Sequence, residues 1–289
     1  MVTVLRSSHR LLLVYGALSL ATVGLGCLIC ALAGVPTGSW VRNLIAWGVG
    51  LTAAWGIATL AGKRTATVLL GLAALLVAAS LLGPAQQGVH RWLVLGPLHI
   101  NLALLMLPMA VVALGWTRER ASSWGLALVL LGLLVLQPDA SQTTAFAGAM
   151  ALIALRAPLS TPVRVGLVTV AAGLTAFSWL RPDPLAPVPE VEEIVALAWG
   201  ITPVLAVAAV VLILATALAP MPGARSGARL PGMGLPLSVY FLLTVGTTLF
   251  GAFPMPLLGI GMSPIVGFWL GVGLLAAQIR CAPSPASDS

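Results

Sequence analysis

The chain has 289 residues, of which 60% are hydrophobic and only 7% are charged. A soluble globular chain carries about 25% charged residues, so this composition excludes a soluble domain. The mean hydropathy of +1.08 and the long, continuous apolar runs indicate a helical membrane protein, because a transmembrane barrel would show short alternating segments instead. The net charge of +7 is explained by loop topology and does not indicate nucleic-acid binding.

Ten apolar segments have about the length that a membrane-spanning helix needs. In chain order they cover residues 11–33, 43–61, 65–83, 98–116, 123–138, 141–155, 162–180, 191–219, 233–253 and 257–279. The sequence therefore predicts an all-α polytopic membrane protein with about ten transmembrane helices. We expect a single integral membrane domain over 1–280 and a disordered cytoplasmic tail over 281–289. The fifth and sixth segments are short, so a broken or re-entrant hairpin is an alternative there.

The basic residues lie mainly on one side of such an arrangement. If the N-terminus is inside, all Lys and Arg fall on the inner side except Arg42, Arg91 and Arg181. Since Lys and Arg accumulate on the cytoplasmic side of membrane proteins, we expect both termini to be cytoplasmic. The acids show the opposite distribution, and those on the outer side are Asp139, Asp183, Glu190, Glu192 and Glu193. They indicate either solvated outer loops or an outer cleft whose carboxylates face the outer arginines.

The sequence carries no recognisable cofactor motif. Cys27 and Cys30 have a redox or metal spacing, but they lie inside the first apolar run without a His or acidic partner, which is typical of packing residues. The three histidines are dispersed. No phosphate-binding Gly loop and no Ser/His/Asp arrangement is present, so we predict neither ATP hydrolysis nor hydride chemistry, and no metal site.

The stretch at residues 86–100, QQGVHRWLVLGPLHI, is a short polar patch between two apolar runs. His90, Arg91 and Trp92 lie at the expected lipid–water boundary, and the Leu95-Gly96-Pro97 turn follows. A charge beside an indole at the end of a span is typical of an interfacial anchor. The planar guanidinium also suits phosphate or carboxylate, so the alternative is the lip of a site for an anionic, lipid-linked ligand.

Two further outer stretches contain acidic residues, and each acid has either a structural or a functional interpretation. In Gln137-Pro138-Asp139 the proline ends one helix, and the aspartate can cap the next helix. Alternatively, the Asp139 carboxylate belongs to a functional site. The stretch at 181–193, RPDPLAPVPEVEE, predicts a stiff loop. Its glutamates are expected to stabilise the N-terminus of the eighth span, because negative charges interact favourably with that end of the helix dipole. Alternatively, crowding raises the pKa of one of them, which then serves as general base toward a sugar hydroxyl.

Three motifs in this order resemble the SEDS family (shape, elongation, division and sporulation). Residues 88–97, GVHRWLVLGP, match the stretch that follows the third span in the family. Residues 136–139, LQPD, match its motif between the fifth and sixth spans. Pro254-Met255-Pro256-Leu257 and Gly261-Met262-Ser263 preserve the skeleton of its motif before the last span. The ten-span count also agrees, and the resemblance runs from about residue 65 to the end.

The chain departs from the family pattern in two stretches that matter for the chemistry. The run Asn101–Leu107 lacks the Glu and Lys that the family carries at the head of the fourth span. The loop before the eighth span is shortened and lacks the His-Thr-Asp of the family, whose Asp is taken as catalytic. Glu193 is the nearest substitute in the sequence.

The resemblance implies a multi-pass protein of the bacterial cytoplasmic membrane that handles a polyprenyl-pyrophosphate-linked, lipid II-like glycan in cell-wall assembly, for cell division or cell shape. It implies a peptidoglycan glycosyltransferase with a single-span transpeptidase partner. The alternatives are a non-catalytic scaffold that binds the lipid precursor, and a flippase. A divalent cation at the pyrophosphate stays open as an alternative, although no sequence feature supports it.

The resulting site prediction assigns residues to three roles. The candidates for the catalytic base are Glu193, Glu192 and Asp139. The expected substrate-binding residues are Arg91, Trp92, His90, Gln137, Arg181 and Glu190. The expected structural residues of the motifs are Gly88, Gly96, Pro97, Pro138, Pro254, Pro256, Gly261 and Ser263.

Overall fold

A computed structural model describes residues 2–96, 98–181, 183–221 and 233–282. This part of the chain contains eleven helices and one two-stranded sheet. The helices are α1 (Val2–Leu32), α2 (Thr37–Leu60), α3 (Lys63–Ser80), α4 (Leu102–Trp116), α5 (Ala121–Leu136), α6 (Ala140–Arg156), α7 (Thr161–Leu180), α8 (Ile194–Ile201), α9 (Pro203–Leu218), α10 (Leu235–Thr247) and α11 (Met262–Arg280). The strands are β1 (Trp92–Leu95) and β2 (Leu98–Asn101).

The helices follow the ten predicted segments, and the predicted fold class is confirmed. Five of the described helices are long and apolar enough to cross a membrane, and four more are shorter and apolar. The eighth segment is divided between α8 and α9. Pro203 disfavours helical geometry in Thr202, which is extended (φ −155°, ψ 142°). The Thr202 hydroxyl accepts a hydrogen bond from the Leu205 N–H (3.3 Å) and so caps α9.

The prediction that the fourth span begins at residue 98 is wrong. Residues 98–101 form β2, which pairs antiparallel with β1 from Trp92↔Asn101 to Leu95↔Leu98. The two-residue connection of such a hairpin favours a residue with positive φ, and Gly96 has φ 59°. The helix starts only after Asn101, whose side-chain oxygen accepts a hydrogen bond from the Leu104 N–H (3.0 Å).

Helix α11 is the centre of the bundle. In the most apolar 18-residue stretch of α11, 72% of the residues are buried, whereas 17% are buried in the corresponding stretch of α7. Its most extensive contacts are with α2 and α4. Gly267 allows the backbones of α11 and α4 to touch, because an added methyl group would overlap the Leu104 carbonyl oxygen. Small residues therefore determine how closely the central helices pack.

Some predictions fall on residues that the structure does not describe. Pro97, the expected turn proline, is one of them. Most of the predicted inner connector at 219–232 and most of the predicted tail at 281–289 also lie outside the described ranges.

Candidate functional site

Arg91 lies buried at the foot of the β-hairpin. Its side chain donates hydrogen bonds to the Gln137 carbonyl oxygen (Nε, 3.2 Å) and to the Pro138 carbonyl oxygen (Nη2). Nη2 also forms an ion pair with Asp183 (2.7 Å). Arg91 is only 3% exposed. The interpretation of Arg91 as an interfacial anchor is therefore wrong, because an anchor places its charge in the headgroup layer.

Asp139 joins the same network from the loop between α5 and α6. One carboxylate oxygen accepts the Gln142 N–H (3.0 Å) and caps α6, as the sequence pattern predicts. The other oxygen lies 3.6 Å from Arg91 Nε. Burial raises the pKa of Asp139, and Arg91 and the Gln142 N–H act against this rise. With both oxygens engaged, Asp139 serves as a buried counter-ion and helix cap.

Asp183 is the ion-pair partner that the sequence-based site prediction left out. Besides Arg91, it accepts a hydrogen bond from the Leu185 N–H (3.3 Å), which holds the carboxylate in the loop before α8. The only signal in the sequence was an acid between two prolines in a stiff outer loop. Its pairing with a residue 92 positions earlier in the chain depends on the tertiary fold.

A cavity of about 40 Å³ adjoins this network. Its lining includes Arg91, Trp92, Asp139, Gln142 and Glu192. We call it the polar cavity. A volume of this size holds a few water molecules and is far below the roughly 300 Å³ of typical ligand pockets.

Glu192 is the glutamate that reaches the polar cavity. One of its oxygens accepts the Val188 N–H (2.7 Å), while Oε1 has no hydrogen bond with any described residue. Burial raises the pKa of Glu192, and Glu193 and Glu190 add to the rise while backbone N–H groups oppose it. Arg91 likewise keeps Nη1 without a partner in the described ranges. The cavity is thus lined by an arginine and a glutamate that each keep one polar group without a hydrogen-bond partner among the described residues.

The other predicted acids do not line the polar cavity. Glu193 is exposed and precedes α8 without forming a side-chain cap. Glu190 is half-buried, and its backbone carbonyl accepts the Ile260 N–H (2.9 Å). Glu192 therefore replaces Glu193 as the strongest candidate for a base.

Two predicted binding residues form hydrogen bonds with other parts of the protein. The His90 ring Nδ1 hydrogen-bonds with the Gly83 carbonyl oxygen (2.9 Å). The Gln137 amide donates to the Val77 carbonyl oxygen (2.9 Å) and to the Ser80 hydroxyl (2.5 Å). Neither side chain belongs to the lining of the polar cavity.

The motif residues shape the backbone around the site. Gln87 (φ 50°) and Gly88 (φ 85°) form a tight turn between Gln86 and Val89, as a type I′ geometry requires. The Ser263 hydroxyl accepts the Asn101 N–H (2.9 Å) and joins β2 to α11. Pro254 lines the polar cavity. The Ser263 contact holds the hairpin against the first turn of α11.

Asn43 is a second residue that the site prediction left out. It is 1% exposed, and its amide donates to the Gly259 carbonyl oxygen (2.9 Å) while accepting the Gly261 N–H (3.1 Å). The α10–α11 connection is thereby fixed to α2. A lone amide at the head of an apolar span is a usable signal, because such groups in a membrane are costly unless paired.

A second cavity of about 200 Å³ lies beside the first. Its lining includes Trp179, Arg181, Asp183, Phe250 and Phe253, and we call it the aromatic cavity. The two cavities share the lining residues Leu185, Ala252 and Phe253. The predicted residue Arg181 thus lies near the polar cavity but not in it.

The acids around these cavities are engaged mainly with Arg91. Among the described residues no group of three or more His, Cys, Asp or Glu has the geometry to hold a metal ion. Asp139 and Asp183 are both engaged with Arg91.

Several solved structures are similar to this chain, including the following three. The rod shape determining protein RodA of Thermus thermophilus is 23% identical with a TM-score of 0.65, and the match covers 93% of this chain and 97% of that chain. An aspartate-to-alanine variant of that RodA is 23% identical with a TM-score of 0.64, covering 93% and 98%. A chain of a peptidoglycan synthase complex is 22% identical with a TM-score of 0.63, covering 92% and 96%. The chain has the RodA fold.

The RodA fold confirms the predicted multi-pass class and the SEDS-like architecture. No protein-family model matches the chain, and comparison with curated protein sequences gives no match. Identity this low establishes the fold alone.

Proposed function

We propose that this protein assembles cell-wall glycan in the bacterial cytoplasmic membrane by transferring a polyprenyl-diphosphate-linked, lipid II-like glycan to a sugar hydroxyl. One observation carries the proposal: Glu192 and Arg91 line the same cavity, and each keeps a polar group without a hydrogen-bond partner in the part of the chain that the structure describes. The RodA fold supports the process, since the similar structures are a rod shape determining protein and a chain of a peptidoglycan synthase complex.

The polar cavity suits a sugar hydroxyl better than a diphosphate. A hydroxyl both accepts and donates, so it can receive a hydrogen bond from Arg91 Nη1 while donating to Glu192 Oε1. The charge of Arg91 is already balanced by two carboxylates, at 2.7 Å and 3.6 Å. Adding a diphosphate beside three acids would be repulsive, whereas a neutral hydroxyl meets no such penalty.

The reaction then proceeds by displacement at the anomeric carbon of the donor sugar. The acceptor oxygen forms a bond to that carbon while the bond from the carbon to the diphosphate oxygen breaks. The hydroxyl proton passes to Glu192, and the electron pair of the broken bond leaves with the polyprenyl diphosphate. A glutamate whose pKa is raised is a stronger base than an ordinary one, provided that it is ionised.

A second candidate function is a non-catalytic scaffold that binds the lipid-linked precursor. The small volume of the polar cavity, about 40 Å³, favours it, as does the absence of the His-Thr-Asp sequence before α8. In either role we propose a single-span transpeptidase as partner, because one similar structure is described as coordinating polymerization and crosslinking.

Glu192→Gln is expected to abolish glycan polymer formation by the purified protein in proteoliposomes supplied with lipid-linked disaccharide. The amide keeps the shape of the side chain but cannot take the proton, and loss of a general base costs about 10²–10⁴-fold in rate. The measurement is the amount of labelled polymer per protein, with helix content checked by circular dichroism.

Glu193→Gln is the matched control, because Glu193 is adjacent, exposed and outside the polar cavity. It should make polymer at the wild-type rate. If Glu192→Gln polymerises as fast as Glu193→Gln, Glu192 is not the base. If no variant makes polymer but the wild type binds precursor, the scaffold function replaces the transferase.

The polymerisation rate is also expected to depend on pH in a defined direction. A base must be ionised, and burial raises the pKa of Glu192 above the ordinary value of 4.5. Activity should therefore be full above the raised pKa and fall as the pH decreases through it. A pH–rate profile that stays flat down to the ordinary glutamate range would contradict this assignment.

A further inference from the structure

Two carboxamide side chains line the polar cavity together with Arg91 and Glu192. Asn101 is the last residue of β2, and Gln142 lies in the first turn of α6. They are only 6% and 2% exposed, and both belong to the lining of the polar cavity. Neither amide nitrogen has a hydrogen-bond partner among the described residues, and neither is completely shielded from open space. At side chains that are otherwise buried, this open space is the polar cavity.

The protein fixes the direction of both amide groups. The side-chain oxygen of Asn101 accepts the Leu104 N–H (3.0 Å). Because a backbone N–H can only donate, the oxygen must face Leu104, and the NH₂ group is left for the cavity. The side-chain oxygen of Gln142 accepts a hydrogen bond from the hydroxyl of Tyr240, which is fully buried. Both amides therefore present their N–H donors to the cavity.

The backbones of the two residues are held as well. The Asn101 N–H donates to the Ser263 hydroxyl (2.9 Å), and the Gln142 N–H donates to the Asp139 carboxylate (3.0 Å). Donors that are fixed before binding lose little conformational entropy when a ligand arrives. Capping of α4 needs only the oxygen of Asn101, and serine or aspartate would supply it equally well. The helix cap therefore does not account for the free NH₂ group.

The chemistry of these donors indicates the group that they bind. A carboxamide nitrogen only donates, so its partner must be an acceptor. A carboxylate or phosphate would lie beside Asp139 and Glu192 and would be repelled. An uncharged carbonyl oxygen accepts two hydrogen bonds and needs no acceptor in return. The volume of about 40 Å³ gives space for about three or four non-hydrogen atoms, at roughly 10–15 Å³ for each water-sized group. This is the size of an acetamido group.

We propose that Asn101 and Gln142 bind the carbonyl oxygen of an acylamino substituent on the glycan, and so select N-acylated amino sugars over sugars that carry only hydroxyl groups. The inference rests on the proposed function, for which it names the feature of the acceptor sugar that the site recognises. With the carbonyl held by the two amides, a neighbouring hydroxyl of the same sugar would lie beside Arg91 and Glu192, because all four side chains line one small cavity. Tyr240 is a positioning residue that acts through Gln142.

Sugar binding to the full chain in phosphatidylcholine nanodiscs tests the selectivity without requiring polymerisation. The probes are N,N′-diacetylchitobiose and cellobiose, two identically linked disaccharides that carry acetamido groups and hydroxyl groups, respectively, at the same positions. Saturation-transfer NMR gives the two dissociation constants. We expect the wild type to bind the acetylated disaccharide about tenfold or more tightly than cellobiose, the effect of two added hydrogen bonds.

Substitutions that remove one donor each should lower this preference. Gln142→Met and Asn101→Ser should each lower it about two- to tenfold. Serine keeps an oxygen that can cap α4, and methionine keeps the length of glutamine, so both variants should retain the wild-type helix content by circular dichroism. Tyr240→Phe should lower the preference less than Gln142→Met, since the amide remains but is no longer oriented. Gln86→Met is the matched control, because Gln86 lies outside both cavities.

Equal binding of the two disaccharides by the wild type, or no binding of either, would overturn the proposal. A preference that persists in the double variant Asn101→Ser/Gln142→Met, or an equal loss in Gln86→Met, would overturn it as well. Polymer formation at the wild-type rate together with an unchanged preference in the double variant would reject this inference alone. A preference that depends on Asn101 and Gln142, without polymer from the wild type, would support the inference and reject only the transferase.

Discussion

Arg91→Ala is expected to lower the free energy of unfolding by about 3–5 kcal/mol, the usual cost of removing one partner of a buried ion pair. The substitution leaves the buried Asp139 carboxylate without its cation, 3.6 Å away in the native protein. It also removes the donors of the Gln137 and Pro138 carbonyl groups. Denaturant titration of the detergent-solubilised protein measures the loss, and polymer formation should disappear with it.

A double substitution separates the charge from the packing. Asp139→Asn removes the stranded charge and keeps an oxygen that can cap α6 through the Gln142 N–H. Arg91→Ala combined with Asp139→Asn should therefore lose less stability than the sum of the single variants. Arg42→Ala, at an exposed position, should change stability by less than about 0.5 kcal/mol. Additive losses in the double variant would show that the Arg91–Asp139 pair does not couple.

Gly267→Ala is expected to destabilise the bundle by about 1–3 kcal/mol or more, the range measured for overpacked cores. The new methyl group would meet the backbone of Leu104 and Leu105, which cannot rotate away as a side chain can. Helix α11 would have to move away from α4, and its contacts with α2 would change as well. The measurement is again the free energy of unfolding.

Gly173→Ala on α7 provides the matched control. An added methyl group there meets nothing within 4 Å. Alanine is favoured over glycine in a helix by about 1 kcal/mol, so this variant should be neutral or slightly more stable. Equal behaviour of Gly267→Ala and Gly173→Ala would contradict the close packing of α11 on α4.

Composition and apolar run length sufficed to predict the helices, because each span must be long and apolar whatever it packs against. The β-hairpin was missed since Leu98–Asn101 continues directly into the apolar run of α4. Local pattern cannot distinguish an apolar strand from the first turn of an apolar helix. The division of the eighth segment was readable in principle from Pro203.

The site was harder to predict than the spans. Arg91, Asp139 and Glu192 were all among the candidates, but their partners were not assigned. Whether Glu192 or Glu193 enters the polar cavity depends on one turn, in which Glu192 bonds back to the Val188 N–H. The ion pair between Arg91 and Asp183 joins distant parts of the chain. Such contacts are set by the packing of helices, and a single sequence does not contain them.

The central claim is that the outer cavities receive the lipid-linked glycan, and photo-crosslinking tests it most directly. Proteoliposomes containing the wild-type protein would be irradiated with lipid-linked disaccharide carrying a photoreactive group on its sugar, and labelled peptides would be mapped by mass spectrometry. We expect label in residues 183–193 and 250–256, suppressed by excess unlabelled precursor. Label spread over other surfaces, or label that unlabelled precursor does not suppress, would contradict the claim.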